Sequence, residues 1–275
     1  MDTIDQYAVF GDPIGHSKSP KIHSLFAQQT EQRLNYTAQR VPLAEFESCA
    51  RQFFEQGGLG LNCTVPLKEV AWQFADQLSE RARLSKAVNT LKKLPDGRIF
   101  GDNTDGVGLI RDLTLNHALT LHHKSILVLG AGGATRGIIG PILEQAPQRL
   151  VIANRSIDKA LRLSDEFSHD QLSACGFEEL SGQCFDLIFN ATSASLSGDL
   201  PDLPEQLLAE QGSCYDLAYA NTATTFVVWG NQQHALLSLD GVGMLVEQAA
   251  EAFYLWRGIR PETQPVIAWL NSQRG

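Results

Sequence analysis

The stretch Ser125-Ile-Leu-Val-Leu-Gly-Ala-Gly-Gly-Ala-Thr-Arg136 constrains this chain more than any other. The apolar run Ile126–Leu129 does not alternate with polar residues, which predicts a strand buried on both faces of a parallel sheet. It runs into Gly130, Ala131, Gly132, Gly133 and Ala134, and the residues from Ala134 to Leu143 suit a helix. A strand, a glycine turn and a helix in that order make a phosphate site. Glycines let the backbone approach a pyrophosphate, and the free N–H groups at the positive helix end attract it. Thr135 stands where the strict dinucleotide fingerprint has its third glycine, so a tight turn that binds nothing stays open on this motif alone.

The second strand, Arg149–Ala153, ends about 20 residues on, where an NAD site places an acid on the ribose 2′-hydroxyl. Here the chain reads Asn154-Arg155-Ser156, with Lys159 close behind. An arginine, a hydroxyl and a lysine suit a 2′-phosphate, which points to NADP; a solvated strand end is the plainer alternative.

At 275 residues the chain is long enough for two domains, and its net charge of −9 argues against nucleic-acid partners and anionic membrane surfaces. No apolar run approaches the ~18 residues of a membrane span. The acidic start Met1-Asp-Thr-Ile-Asp-Gln lacks the basic and apolar regions of a signal peptide. Five cysteines without a Cys-x-x-Cys indicate neither a disulfide framework nor a zinc site. The expectation is a cytoplasmic, metal-free protein with a small-molecule substrate, acting as a monomer or homodimer.

Upstream of the glycine turn, Tyr7–Phe10 reads as a strand, followed by a polar loop holding Ser17 and Ser19. Ser19 before Pro20 is a good N-cap for the next helix, and two serines on a helix-entry loop also make a carboxylate nest; the two readings are compatible. A strand is expected over 34–41, a helix over 46–56 and a strand over 59–65, with Asn62 and Thr64 near its end. Pro66 then opens a helix that puts Lys68 in the first turn, the wrong end of the dipole for a cation. Such a lysine is either an ordinary surface residue or an acid–base group. A hairpin is expected from 87–94 and 98–100 across Pro95-Asp-Gly97, with Asn89 as a polar interruption of its first strand. Asp105 then reads as the cap of a helix from Val107.

Beyond the second strand, the pattern predicts a helix over 161–167 and strands over 185–189, 214–217 and 236–239. A helix carrying Leu245, Val246, Ala249, Ala250, Phe253 and Trp256 on one stripe follows, and a last helix over 265–270. Asn190-Ala-Thr-Ser193 falls at a strand's carboxyl end, where open α/β folds bind ligands. The polar, glycine-bracketed stretch Gly101-Asp-Asn-Thr-Asp-Gly106 immediately precedes the cofactor-binding section, and a domain boundary is expected there.

Together these segments resemble the shikimate dehydrogenase family over nearly the whole chain. The resemblance rests on Ser17-Lys-Ser19-Pro20, Asn62-Cys-Thr64-Val-Pro66-Leu-Lys68, Ala87-Val-Asn89-Thr90, Asp102-Asn-Thr-Asp105-Gly106, Gly130-Ala-Gly-Gly-Ala134, Asn154-Arg155-Ser156, Asn190-Ala-Thr-Ser193 and Asp240-Gly-Val-Gly-Met-Leu-Val-Glu-Gln248. It implies a two-domain α/β protein. The N-terminal α/β substrate domain, residues 1–104, is completed by the C-terminal helices of 241–275, and a Rossmann-like NADP domain, residues 105–240, lies across a cleft that holds the active site. The implied reaction is the reversible NADPH-dependent reduction of 3-dehydroshikimate to shikimate, in the route to aromatic amino acids. Lys68 and Asp105 would be the catalytic pair. Ser17, Ser19 and Tyr219 would take the substrate carboxylate, and Asn62, Thr64, Asn89, Asp105 and Gln248 its hydroxyls. Gly130–Ala134 would hold the pyrophosphate, and Asn154, Arg155, Ser156 and Lys159 the 2′-phosphate end. Leu217 and Gly241 would line the nicotinamide, with Glu80 a further cofactor contact.

The chain departs from the family pattern at Lys86 (usually Gly), Ser195 (commonly Gly), Thr225 (usually Pro) and Lys159 (commonly Arg). Two other functions are open: a broad-specificity quinate/shikimate dehydrogenase, and an NADP-binding regulatory module without chemistry. Ser19 and the basic Arg155–Lys159 stretch speak against the first, and retention of both Lys68 and Asp105 against the second.

Overall fold

The non-alternating run becomes β7 (Ser125–Leu129), every residue of it buried, inside a six-stranded all-parallel sheet. The computed structural model describes residues 4–192, 194 and 198–274; Ser193 and Ser195 lie outside the described residues. The chain divides into two compact units, one of Met1–Gly108 with Leu245–Ala268, the other of Leu109–Met244 with Trp269–Gly275. Among the described residues, no helix is long and apolar enough to cross a membrane.

In the second unit, β7 is joined by β8 (Arg149–Ala153), β9 (Leu172–Cys175), β10 (Phe185–Asn190), β11 (Leu208–Asp216) and β12 (Ser238–Leu239). Their order is β12-β11-β10-β7-β8-β9. Counted from β7, that is the 3-2-1-4-5-6 arrangement of dinucleotide-binding folds, whose reversal of strand order lies between β7 and β10. Both faces are covered, by Ile138, Ile139 and Ile142 of α6 (Gly133–Leu143) on one side and by Phe226 of α8 (Thr225–Gln232) on the other.

Four elements here exceed the sequence expectation, the first being β11, which begins six residues before the expected Cys214. The helix expected from Leu161 begins four residues earlier, as α7 (Ile157–Phe167). The short strand β9 and the helix α8 were not expected at all. Thr224 caps α8 by accepting from the Val227 N–H at 3.3 Å, and Thr225 takes the first helical position, where the family's proline would also fit.

The first unit carries a mixed six-stranded sheet, ordered β2-β1-β3-β5-β6-β4. Its strands are β1 (Asp5–Gly11), β2 (Leu34–Arg40), β3 (Gly58–Cys63), β4 (Gln77–Leu78), β5 (Thr90–Lys93) and β6 (Ile99–Asp102). β3 stops at Cys63, two residues short of expectation. β5 and β6 form the expected antiparallel hairpin, but it begins at Thr90, so Asn89 sits just ahead of the strand. The helices are α1 (Ser19–Gln29), α2 (Phe46–Glu55), α3 (Lys68–Phe74), α4 (Glu80–Ser85) and α5 (Asp105–Arg111), and the chain passes to the second unit within α5.

The long helix α9 (Val242–Arg257) brings its apolar stripe to this unit. Phe253, fully buried, meets Phe26 edge-on, and Trp256 packs on Tyr7 and donates to the Leu91 carbonyl at 3.0 Å. Burying one such aromatic contributes about 1.5–3 kcal/mol, which explains why a segment so remote in sequence belongs here. The last helix, α10, runs over Gln264–Ser272.

Lys86 explains one departure from the family pattern. It ends α4 with φ +50°, in the left-handed region where glycine carries no penalty and a side chain does. Lys86→Gly is expected to raise stability by up to about 1 kcal/mol, seen as a higher urea midpoint. A lower midpoint would show that the lysine side chain returns more than its backbone strain costs.

Candidate active site

The first unit carries nine of the sequence-predicted residues: Ser17, Ser19, Asn62, Thr64, Lys68, Glu80, Asn89, Asp105 and Gln248. Lys68 is the first residue of α3, and its Nζ donates to Asp105 Oδ2 at 2.5 Å. The two side chains are 22% and 11% exposed, so the pair is largely desolvated yet open at one edge, as an acid–base group requires. Asn89 Nδ2 donates to the other carboxylate oxygen, Asp105 Oδ1, at 2.7 Å. Asp105 is therefore held from both sides.

Asp105 does not cap a helix. It is itself the first residue of α5, and its N–H is satisfied by Asn103 Oδ1 at 3.1 Å. The capping duty falls on Asn103, which leaves the Asp105 carboxylate for Lys68. Ser19 likewise is the first helical residue of α1 rather than its cap. The Ser17 hydroxyl accepts the Ser19 N–H at 3.3 Å, so the two serines share one turn at the helix entry.

Around this centre, Asn89 Oδ1 accepts from the Thr104 N–H at 2.9 Å and from the Thr90 hydroxyl at 2.8 Å. Gln248, on α9, directs its Oε1 to Asn89 Nδ2 and Thr104 Oγ1, each at 3.4 Å. Asn62 donates to the Asn89 carbonyl and the Thr90 hydroxyl at 3.0 Å each. The Thr64 methyl packs over Gly11, where an added Cβ would lie 2.5 Å from it. Glu80 opens α4, exposed, where its charge complements the positive helix end. Thr90, Thr104 and Tyr36 complete the polar cluster and were missed in sequence; the hydroxyl on the inward side of β2 was the only signal for Tyr36.

The second unit carries the predicted cofactor residues. Gly130 has φ +102°, and a Cβ there would press on Ala191 and Thr192 at 3.1–3.2 Å. Cβ atoms at Gly132 and Gly133 would meet nothing within 4 Å, so these backbones are open to a ligand at the start of α6. Thr135 replaces the third glycine without opening the turn: it is fully buried, and its hydroxyl donates back to the Gly130 carbonyl at 2.8 Å. This geometry fits a pyrophosphate.

Asn154 Nδ2 donates to the Ser156 carbonyl at 2.9 Å, shaping the turn after β8. Arg155, Ser156 and Lys159 are exposed there; Asp158 shares the turn, and the end remains net positive. Leu217 and Gly241 are brought together, the Leu217 carbonyl lying 2.3 Å from where a Gly241 Cβ would stand. Tyr219 follows in the loop after β11, its hydroxyl held above its usual pKa by burial, with Arg274 pulling the other way. Asn190 is fully buried and donates to Asp216 Oδ1 at 3.0 Å, while Asp216 also accepts from Ala218 N–H and Thr224. The polar end of β10 is thus partly scaffold, holding the loop that carries Leu217 and Tyr219.

Three family models match: a shikimate dehydrogenase substrate binding domain over residues 9–91, a shikimate/quinate 5-dehydrogenase over 112–198, and a shikimate 5′-dehydrogenase C-terminal domain over 241–268. The chain is 60% identical to the shikimate dehydrogenase (NADP(+)) of Methylococcus capsulatus, over 100% of this chain and 99% of that protein. It is 51% identical to the enzyme of that name from Hahella chejuensis, over 98% and 99%. Among solved structures, an Ael1 enzyme from Pseudomonas putida superposes with a TM-score of 0.91 at 50% identity, covering 97% of this chain and 98% of that one. Shikimate 5-dehydrogenase from Thermus thermophilus, solved in complex with NADP(H) and shikimate, superposes at 0.85 with 32% identity, covering 96% and 97%.

Proposed function

Because this chain belongs to the shikimate dehydrogenase family, we propose that it reduces 3-dehydroshikimate reversibly to shikimate with NADPH, through the acid–base pair Lys68 and Asp105. The observation that carries this reading is the Lys68–Asp105–Asn89 cluster, a partly open ammonium fixed by a carboxylate that is itself fixed. Reduction of the ketone leaves an alkoxide that must gain a proton, and oxidation of the alcohol must remove it. Lys68 Nζ supplies the proton in one direction and takes it in the other, while Asp105 and Asn89 keep the amine in place. NADPH, when bound, supplies the hydride.

The substrate is a carboxylate bearing several hydroxyls, so its recognition needs many directional partners. Ser17 and Ser19 offer hydroxyls to the carboxylate at the start of α1, and the family resemblance assigns Tyr219 the same duty. Asn62, Thr64, Asn89, Asp105 and Gln248 are assigned to the hydroxyls. Residues 1–104 with 241–275 are read as the substrate domain and 105–240 as the NADP domain. Gly130–Ala134 receive the pyrophosphate, Asn154–Lys159 the 2′-phosphate, and Leu217 and Gly241 the nicotinamide; Glu80 is assigned a further cofactor contact. The five cysteines are free, which suits the reducing cytoplasm, and the acidic net charge suits a small-molecule rather than a nucleic-acid partner. Each role needs one chain only, as a monomer or a homodimer supplies.

Initial rates with shikimate and with quinate, each with NADP(+) and with NAD(+), test this. A strong preference for shikimate with NADP(+) is the expected result. Comparable quinate or NAD(+) rates would move the protein to a broad-specificity enzyme, and no turnover with any pair would revive the regulatory module.

A further inference from the structure

Behind the groups assigned to the substrate lies a buried layer built around Tyr36, which is 8% exposed. Its phenol donates to Asn62 Oδ1 at 2.7 Å. The direction of that bond is forced. Asn62 lies 3.0 Å from the Asn89 carbonyl, which can only accept, so the amide nitrogen must face Asn89 and the amide oxygen must face Tyr36. The second amide proton goes to Thr90 Oγ1, whose own proton goes to Asn89 Oδ1. Every donor of Asn62 is thereby used, and only a lone pair of Oδ1 remains for a ligand.

Burial holds the Tyr36 phenol well above its ordinary pKa, so it stays protonated and can donate. The ring is clamped by His23, stacked on it at 4.2 Å between ring centres and 8° between planes, with Trp256 closing the stack. His23 is 1% exposed, and among the described residues neither ring nitrogen makes a hydrogen bond of ordinary geometry. Burial pushes its pKa down to about 3, against a smaller opposing pull from Asn62, so the plate behind Tyr36 is uncharged.

We propose that Tyr36 is a positioning residue for substrate recognition: it locks Asn62 as a pure hydrogen-bond acceptor for a substrate hydroxyl. This rests on the reduction of 3-dehydroshikimate proposed above. An acceptor that cannot turn favours an alcohol at that position of the ring and disfavours a carbonyl or ether oxygen, which has no proton to give.

Tyr36→Phe removes one oxygen and keeps the stack with His23. Its expected result is a KM for shikimate raised about fivefold to tenfold, with kcat within about twofold and KM for NADP(+) unchanged. Because Tyr36 acts largely through Asn62, the double variant Tyr36→Phe/Asn62→Ala should lose much less than the sum of the single losses. An unchanged KM for shikimate, or fully additive losses, would overturn the proposal; absence of shikimate turnover in the wild-type protein would instead overturn the functional reading. Should Tyr36→Phe not fold, the wild-type protein still gives an answer by NMR. The Asn62 side-chain amide protons should exchange slowly with solvent and keep their partners when shikimate binds, and their transfer to the substrate would refute the assignment.

Discussion

Replacing Lys68 with alanine is expected to lower kcat for shikimate oxidation by about three orders of magnitude while KM for shikimate stays within a few-fold. The asymmetry follows from what each group is assigned to do. In the proposed reading Lys68 is needed where a proton moves, whereas the binding of a carboxylate and several hydroxyls is assigned to Ser17, Ser19, Asn62, Thr64, Asn89 and Gln248. Loss of the ammonium leaves Asp105 with Asn89 as a remaining partner at 2.7 Å, and the carboxylate keeps some contact with water, so the variant should remain folded. Its melting temperature checks that point. Lys68→Arg separates charge from proton transfer. The guanidinium keeps the positive charge beside Asp105 but does not give up a proton in the accessible pH range, so kcat should stay low while substrate affinity is kept. Near-normal turnover in Lys68→Ala would remove the lysine from its assigned role.

The residues of this cluster were more legible in the sequence than the backbone that presents them. Strand β7 and the glycines after it were readable because an unbroken apolar run and a turn without side chains leave few alternatives. Ser19 and Asp105 were each expected to cap a helix, on sound local grounds, since Ser before Pro and Asp before a helical run are good cap sequences. Each helix instead starts on that residue, with Ser17 and Asn103 accepting the N–H groups. What local propensity cannot show is that Lys68, 37 positions away, holds the Asp105 carboxylate.

The missed elements have local causes. In α8 the run Phe226-Val-Val-Trp229 carries the β-branched and aromatic residues of a strand, and tertiary packing of Phe226 overrides that preference. In α7 the polar Asn154-Arg155-Ser156 turn concealed a helix whose buried residues, Ala160 and Leu163, come only after its first turn. β9 is four residues long with an exposed Ser173, too short to show a period. Tyr36 escaped because a tyrosine in a strand is ordinary; its importance comes from Asn62, 26 positions on, and from a histidine on another element.

Arg155→Ala is expected to raise KM for NADP(+) about 30-fold and to leave KM for NAD(+) nearly unchanged. The argument turns on how little else at that turn can hold a dianion. Lys159 supplies one compact charge without a planar fork, Asp158 opposes it in the same turn, and Asn154 is tied to the Ser156 carbonyl. Arg155 is exposed, so with a single surface carboxylate it would contribute little. A 2′-phosphate differs in carrying up to two charges and three acceptor oxygens, which a guanidinium can engage with paired bonds. Lys159→Ala should weaken NADP(+) binding less than Arg155→Ala does. Because these contacts sit in water, KM for NADP(+) should also rise with ionic strength in the wild-type protein, and that rise should be smaller in Arg155→Ala. Equal losses for NADP(+) and NAD(+) would mean that Arg155 supports the turn rather than the phosphate. No loss with either would move cofactor selection to another part of the second unit.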